Sequence, residues 1–527
     1  MITTWRLWII TAAIFGTYAA LISNVYNLQV NKGSYYLARA ASQSRVADFL
    51  AAQRGSIYFT DKNDNLVPAA INREYPVIFA VPKEIADPDE AAQSLASILG
   101  TTATKVKTLL DKPNDLYELL VEKATDEQVG QIKTLGLKGV YVDSQHFRFY
   151  PFGPLASQVL GFVGESEKDA AHDGRYGMEF LYNDLLKKKD LRLTIDFNIQ
   201  SQAEKILKNL IEKYSAVGGT VIVQDPETGK ILAMGSYPSF DPNEYSEYPL
   251  KNFTNPAMQA VYEPGSVFKI FTMAAGIDSG KITPETGFYD SGSLVVNGKT
   301  IKNWDLKAHG QVTMTEVIER SINTGAAFAE RKTGHDNFYN YLLNFGFDEP
   351  TDVSLPGEIS GTLKNLKSAF REINFANAAF GQGVSVTPLQ LVSAMSAVAN
   401  GGTLMKPYIL TADRPESVRR VLSEESAGKV AEMMVSAVNK AELARISGYE
   451  VAGKTGTAQI PDFKKGGYSG EYIHSYAGFA PASDPRFTIL MKIDKPRAPL
   501  AGQTVVPAFR ELAQFILNYY NIPADNL

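Results

Sequence analysis

The chain has 527 residues, 45% of them hydrophobic and 21% charged, with 41 Gly and 26 Pro; at ~150 residues per domain this is material for several units, neither collagen-like nor globally disordered. A net charge of −5 without blocks of like charge excludes an electrostatic footprint for nucleic acid, and the absence of cysteine excludes disulfides, thiolate metal sites and a cysteine nucleophile. The five histidines, His146, His172, His309, His335 and His474, are widely separated and form no metal-ligand pair, so no metal is expected.

Residues 7–31 carry no charged side chain, and the apolar run from Leu7 to Leu28 is long enough to cross a bilayer. It exceeds the ~7–15 residues of a signal-peptide core and ends without a small-x-small cleavage site, so residues 1–30 are read as a stub and a retained anchor. Arg6 flanks it on one side and Lys32, Arg39 and Arg45 on the other, so charge alone leaves the orientation open. Residues 31–189 mix short β-like runs (75–81, 137–142, 147–150) with amphipathic helical ones (86–99, 102–110, 126–135). A boundary is placed near Lys189. Beyond it Leu191–Asp196 reads as a strand, 199–207 as a helix, and 219–224 and 230–235 as a hairpin turning at Asp225-Pro-Glu-Thr-Gly229.

Ser266-Val-Phe-Lys269 opens an apolar helical pattern, which puts Ser266 at a helix N-terminus and Lys269 on the same face. A serine hydroxyl is a weak nucleophile until a base takes its proton, and a lysine with a pKa of ~10.4 is a base at neutral pH only if burial or a second cation depresses it. The plain alternative is a helix-capping serine beside a surface lysine, and Ser426-Ala-Gly-Lys429 has the same spacing. Ser321-Ile-Asn323 offers a hydroxyl and an amide at the end of an amphipathic run over 314–320, or else a simple helix cap. Lys-Thr-Gly occurs twice. At Lys332-Thr-Gly334 the glycine reads as a helix C-cap, whereas Lys454-Thr-Gly456 lies among small and β-branched residues that suit a strand which a ligand backbone can approach, and Lys454 could be the second cation. Gly298-Lys-Thr300 has the wrong glycine spacing for a phosphate loop, and 294–300 reads as a hairpin turning at Asn297-Gly298.

Taken in order, Ser266-x-x-Lys269, Ser321-x-Asn323 and Lys454-Thr-Gly456 resemble the three motifs of penicillin-interacting serine enzymes. Tyr262-Glu-Pro-Gly-Ser-Val-Phe-Lys269, Phe380-Gly-Gln-Gly-Val-Ser-Val-Thr-Pro-Leu-Gln390, Ala399-Asn-Gly-Gly402 and Gly453-Lys-Thr-Gly-Thr-Ala-Gln459 narrow the resemblance to class B penicillin-binding proteins, more like the division-type branch than the elongation type. Arg54-Gly-Ser-Ile57, Arg148-x-Tyr-Pro151 and Gly177-x-Glu179 extend it upstream. The chain departs from the pattern at Asp61-Lys-Asn-Asp64, which lacks a customary glycine, and at Leu500-Ala-Gly-Gln503, where many members carry Tyr-Tyr-Gly-Gly.

The resemblance implies an α+β chain: a transmembrane helix (1–30), an elongated mixed α/β pedestal, or dimerisation-like domain (31–189), and a transpeptidase domain (190–527) with a central, mainly antiparallel sheet flanked by helices. It implies a peptidoglycan D,D-transpeptidase acting in septal wall synthesis, inhibited by β-lactams and needing no cofactor. Ser266 would be the nucleophile, Lys269 its base and Ser321 the proton relay. Asn323, Lys454, Thr455, Gly456 and Thr457 would bind substrate, with the backbone N–H groups of Ser266 and Thr457 as oxyanion hole. Implied partners are stem peptides ending in D-Ala-D-Ala, a membrane glycan polymerase and other division proteins; the implied location is the bacterial cell membrane, single-pass, with the catalytic domain outside. The alternatives are a β-lactamase or β-lactam sensor, for which Glu372 is the one candidate deacylating base, and a non-enzymatic division scaffold.

Overall fold

A computed structural model describes residues 4–33, 36, 54–165, 172–367, 371–462 and 464–525. Helix α1 (Thr4–Tyr26) runs on into a π-helical turn, Asn27–Asn31. Its apolar stretch Trp5–Val30 has 26 residues, about 39 Å at 1.5 Å per residue against ~30 Å of hydrocarbon. None of it is buried in protein, and Trp8 and Phe15 are among its exposed side chains. Length and composition suffice to cross a membrane, as the uncharged run predicts.

The chain after α1 forms two compact units, one built on Ile71–Phe149 and the other on Gly55–Ala70, Tyr150–Val163 and the residues from Gly174 on. Strands β1 (Ile57–Thr60) and β2 (Leu66–Ala80) are joined by a turn in which Asp64 has φ +59°. Asp61 holds that turn by accepting from the backbone N–H groups of Asn63 and Asn65 at 2.8 and 2.9 Å. Aspartate is among the few L-residues that tolerate the left-handed region, so the turn closes without a glycine.

In the first unit, helices α2 (Pro88–Ala96), α3 (Ala103–Leu110) and α4 (Asp126–Leu135) pack with residues 71–80 of β2 and its antiparallel partners β3 (Glu118–Val121) and β4 (Val140–Phe149). Each helix begins at a side-chain cap, Asp87, Thr102 or Thr125, the last in a capping box with Gln128. Leu95, Val106, Leu110 and Ile132 meet Ile78, Ala80 and Val140 in one core. The strands outrun the sequence reading: β4 is continuous through the polar residues Asp143-Ser-Gln-His146, because ladder pairing with β2 supplies what hydrophobic patterning does not.

In the second unit β5 (Leu191–Asp196) pairs in parallel with β1, and Asp196 caps α5 (Phe197–Tyr214). Strands β6 (Gly218–Gln224) and β7 (Ile231–Tyr237) form the expected hairpin. Between this hairpin and the three strands at the far end lie helices α6 (Lys269–Asp278), α7 (Met314–Glu319), α8 (Asn323–Thr333), α9 (Pro388–Ala399) and α10 (Glu424–Ala441). Strands β8 (Ala452–Pro461), β9 (Tyr468–Ala480) and β10 (Phe487–Asp494) complete an antiparallel sheet in the order β8-β9-β10-β6-β7, and α11 (Val505–Tyr519) follows. Successive residues serve opposite faces: Val221, Val223, Ile489 and Met491 join a core with Leu207 of α5 and Phe509 of α11, while Ile222 and Leu490 join the core of α6, α9 and α10. Both faces are covered, which is why Val221–Val223 in β6 and Ile489–Met491 in β10 are apolar at every position rather than at alternate ones.

Helix α6 is buried from Lys269 to Ile277. Phe268 and Phe271 pack on Phe347 at centroid distances of 4.9 and 5.0 Å, and Phe271 on Phe345 at 4.9 Å. Such pairs contribute roughly 0.5–1.5 kcal/mol each beyond their buried area, and they fix the first turn of α6.

Candidate active site

Ser266 lies in a 3₁₀ turn, Gly265–Phe268, that runs directly into α6 at Lys269. Gly265 has φ +58°, and a Cβ there would come within 3.0 Å of the Ala458 side chain, so edge strand β8 lies hard against the turn. The backbone N–H of Gly265 donates to the Gly381 carbonyl at 3.1 Å, and Tyr262 and Val386 exchange two backbone hydrogen bonds. The 380–390 motif therefore buttresses the serine turn. Glu263 accepts from the Gly383 N–H and the Tyr468 hydroxyl, each at 3.0 Å, and ties the same turn to the β8–β9 hairpin.

Lys269 is fully buried, the one charge-bearing side chain in the buried stretch of α6 from Lys269 to Ile277. Its Nζ donates to the Ser321 carbonyl at 2.5 Å and to Asn323 Oδ1 at 2.8 Å, and lies 3.1 Å from Ser321 Oγ. Lys454, 4% exposed, reaches the same Ser321 Oγ at 3.0 Å and Thr455 Oγ1 at 3.4 Å. One hydroxyl thus bridges two amines. Burial first, and the nearby Lys454 charge second, hold the Lys269 pKa well below that of a free lysine. Burial brings Lys454 down to about 7. The second lysine of the same spacing, Lys429, is the opposite case: it is half-exposed and ion-paired with Glu425, which raises its pKa. Ser426, its neighbour, is hydrogen-bonded to the cap residue Ser423. Spacing alone could not separate the two pairs; burial does.

The geometry differs from the i, i+3 expectation in one respect. Among the described residues Lys269 makes no hydrogen bond to Ser266 Oγ, because the Ser321 and Asn323 acceptors take its donors. Catalytic contacts in unliganded sites are commonly long and tighten when substrate binds.

Ser321 sits between α7 and α8 with φ +56°, a left-handed conformation that costs a non-glycine residue on the order of 1–3 kcal/mol. The strain puts its carbonyl and its hydroxyl on the same amine. Along β8, Lys454 and Gly456 share one face of the strand and Thr455 and Thr457 the other. A Cβ at Gly456 would meet Ser475 Oγ at 2.4 Å and the Pro264 carbonyl at 2.8 Å, so only glycine lets β8 approach the serine turn. Thr457 Oγ1 accepts the Ala501 N–H at 3.3 Å, leaving its hydroxyl proton to donate. Ala501 belongs to the divergent Leu500-Ala-Gly-Gln503 segment, which forms a 3₁₀ turn here.

His474 pairs with Thr457 across β8 and β9 and is fully buried, with Nδ1 2.9 Å from Thr504 Oγ1. Burial lowers its pKa to about 4. The folded value lies below the ordinary ~6.5, so this contribution to stability is complete above pH ~6.5 and is lost as pH falls through 4, up to about 3 kcal/mol. Urea unfolding between pH ~7 and ~4 is expected to show a shallower fall in stability for His474→Gln than for the parent chain; identical slopes would contradict this.

Three lookalikes fall elsewhere. Gly334 ends α8 with φ +85°, as a C-cap. Val296 and Lys299 pair across Asn297-Gly298, the expected hairpin. Glu372 is ion-paired with Arg331 at 2.7 Å, eight residues along α8 from Asn323, or about 12 Å at 1.5 Å per residue.

Two family models match the chain: "Penicillin binding protein transpeptidase domain" over residues 219–514 and "Penicillin-binding Protein dimerisation domain" over residues 49–224. Stage V sporulation protein D of Bacillus subtilis is 34% identical over 513 residues, covering 87% of this chain and 78% of that protein. Peptidoglycan D,D-transpeptidase FtsI of Escherichia coli is 28% identical, covering 99% and 93%. Among solved structures, penicillin-binding protein 3 of Mycobacterium tuberculosis in complex with aztreonam superposes with a TM-score of 0.70 at 26% identity, covering 90% of this chain and 97% of that one. Penicillin-binding protein 2X of Streptococcus thermophilus matches in fold with a TM-score of 0.72 at 22% identity, covering 90% and 80%.

Proposed function

The chain belongs to the penicillin-binding transpeptidases, and we propose on that footing that it cross-links peptidoglycan through an acyl-enzyme on Ser266. The observation that carries the proposal is the Lys269–Ser321–Lys454 bridge beside the serine turn, two buried amines with depressed pKa values sharing one hydroxyl.

Ser266 Oγ attacks the carbonyl between the last two D-alanines of a stem peptide while neutral Lys269 takes its proton. The backbone N–H groups of Ser266 and Thr457 receive the developing oxyanion, a role in which one donor can be worth ~3–4 kcal/mol. The proton passes through Ser321 Oγ to the leaving nitrogen, the C–N bond breaks, and D-alanine departs. An amine of a second stem peptide then attacks the ester, its proton returns by the same path, and Ser266 is released. Asn323 and β8 hold the donor peptide, while Thr455, Thr457 and the charge of Lys454 hold its terminal carboxylate, which in turn favours the protonated form of Lys454. Glu372, paired with Arg331, is not a deacylating base in this scheme, and a lactamase reading loses its one candidate.

Residues 1–30 anchor the protein as a single-pass segment of the bacterial cell membrane, residues 31–189 form a non-catalytic pedestal, and residues 190–527 form the catalytic domain outside the membrane. The similarity to a protein named for sporulation and to a peptidoglycan D,D-transpeptidase, together with the division-type form of the 380–390 motif, supports work at a septum, alongside a membrane glycan polymerase and other division proteins. The test is D-alanine release from a D-Ala-D-Ala stem peptide with and without an acceptor amine. Release that rises with acceptor and matches the cross-linked product is expected; release that ignores acceptor and yields only hydrolysed peptide would overturn transpeptidation.

A further inference from the structure

Helix α8 begins at Asn323, yet the residue before it, Ile322, has no side chain that can cap it. The first N–H groups of a helix must find acceptors. Here they find one on a different segment: Asn303 Oδ1 accepts from the N–H of Asn323 at 3.1 Å and of Thr324 at 3.3 Å. The residues on either side of Asn303 hold the same turn. The Lys302 carbonyl accepts from Asn323 Nδ2 at 2.9 Å, and Trp304 Nε1 donates to the Arg320 carbonyl at 3.0 Å. Three consecutive residues therefore grip both sides of Ser321.

Asn303 is itself oriented from behind. It is 1% exposed, and its Nδ2 donates to Asp290 Oδ2 at 2.8 Å and to the Lys307 carbonyl at 3.0 Å. Asp290 is fully buried and gathers further donors: Thr324 Oγ1 at 2.6 Å, the Gly292 N–H at 2.9 Å, the His309 N–H at 3.0 Å and His309 Nδ1 at 2.7 Å. Burial pushes the carboxyl pKa up, but the donors from Thr324, Gly292 and His309 outweigh it and keep Asp290 ionised. A carboxylate that must accept fixes which end of the Asn303 amide faces it, and so presents Oδ1 to α8.

We infer that Asn303, oriented by Asp290, is a positioning residue for the reaction: it caps α8 from outside the helix and thereby sets where Asn323 and Ser321 meet Lys269. This rests on the acyl-transfer reading of Ser266. Among the described residues Asn303 is hydrogen-bonded to neither Lys269 nor Ser266; it acts through Asn323, whose Oδ1 lies 2.8 Å from Lys269 Nζ. Without the cap the first turn of α8 frays and Asn323 loses its register. A displacement near 1 Å at such a contact can cost about 100-fold in rate.

The test is the kinetics of acylation by a fluorescent penicillin, resolved into binding and chemical steps, with thermal unfolding measured alongside. Asn303→Ala is expected to slow the chemical step about 10- to 100-fold with little change in binding and with the protein folded at the assay temperature. Asp290→Asn alone leaves two amides facing each other and should be slow. Asn303→Asp alone sets two carboxylates together and should also be slow. Acylation of Asn303→Ala at the parent rate, or loss only in proportion to the unfolded fraction, would overturn the inference. An unmodified chain that fails to acylate at all would instead overturn the underlying reading.

Discussion

Lys269→Met is expected to reduce acylation of Ser266 by about 100- to 10,000-fold, the usual worth of a general base, while leaving the fold as stable as before or more so. The side chain is wholly buried, and Met has nearly the same length without a group to desolvate. The sign of the stability change follows from linkage. Because the Lys269 pKa is depressed in the folded state, the unfolded chain binds more protons at this site than the folded chain does at any pH between the two pKa values. That difference opposes folding at neutral pH and vanishes as pH rises towards the free-lysine value of ~10.4. The Met variant should therefore gain most in Tm near pH 7 and least near pH 10. Acylation rates with melting curves at both pH values check this; a Met variant that acylates normally would remove Lys269 from the chemistry.

Lys454→Ala should move the alkaline-rising limb of the acylation profile to higher pH. The two lysines meet at Ser321 Oγ through legs of 3.1 and 3.0 Å, so their nitrogens lie within about 6 Å. Unit charges at that separation and an effective dielectric of ~20 repel by about 3 kcal/mol, or roughly two pK units. Burial is the larger cause of the Lys269 shift, and truncating Lys454 also admits water, so both changes act in the same direction: Lys269 becomes harder to deprotonate. A rise of at least about one unit in the midpoint is expected, with a loss of about 10-fold or more at pH 7. Lys454→Arg should keep much of the pKa effect but lose rate, since a planar guanidinium does not fit the space of an ammonium. A midpoint unchanged in Lys454→Ala would leave Lys454 as a substrate-binding charge only.

How much of this was legible in the sequence depends on how local each signal is. Ser266, Ser321 and Lys454 stand out because three short motifs recur in one order, and strand β5 and the β6–β7 hairpin because turn residues bracket apolar runs. The same spacing rules could not tell Lys269 from Lys429, since what separates them is burial by α6 packing against an Asp/Glu partner at the surface. Glu263 and Tyr468 are 205 residues apart and meet only when β9 folds back over the serine turn. Asn303 and Asp290 belong to no motif; their role comes from an uncapped helix that begins 20 residues after Asn303. A missing cap at Ile322 was the one readable sign, and it does not say which distant residue replaces it.

If Ser266 is the nucleophile, peptide-mapping mass spectrometry after treatment with penicillin will find the drug on it. The predicted result is one acyl adduct, on the peptide containing Ser266, persistent after removal of free drug and absent from Ser266→Ala, which should stay folded because a lost helix-terminal hydroxyl costs only ~0.5–2 kcal/mol. An adduct on Ser426, or an adduct surviving in Ser266→Ala, would contradict it.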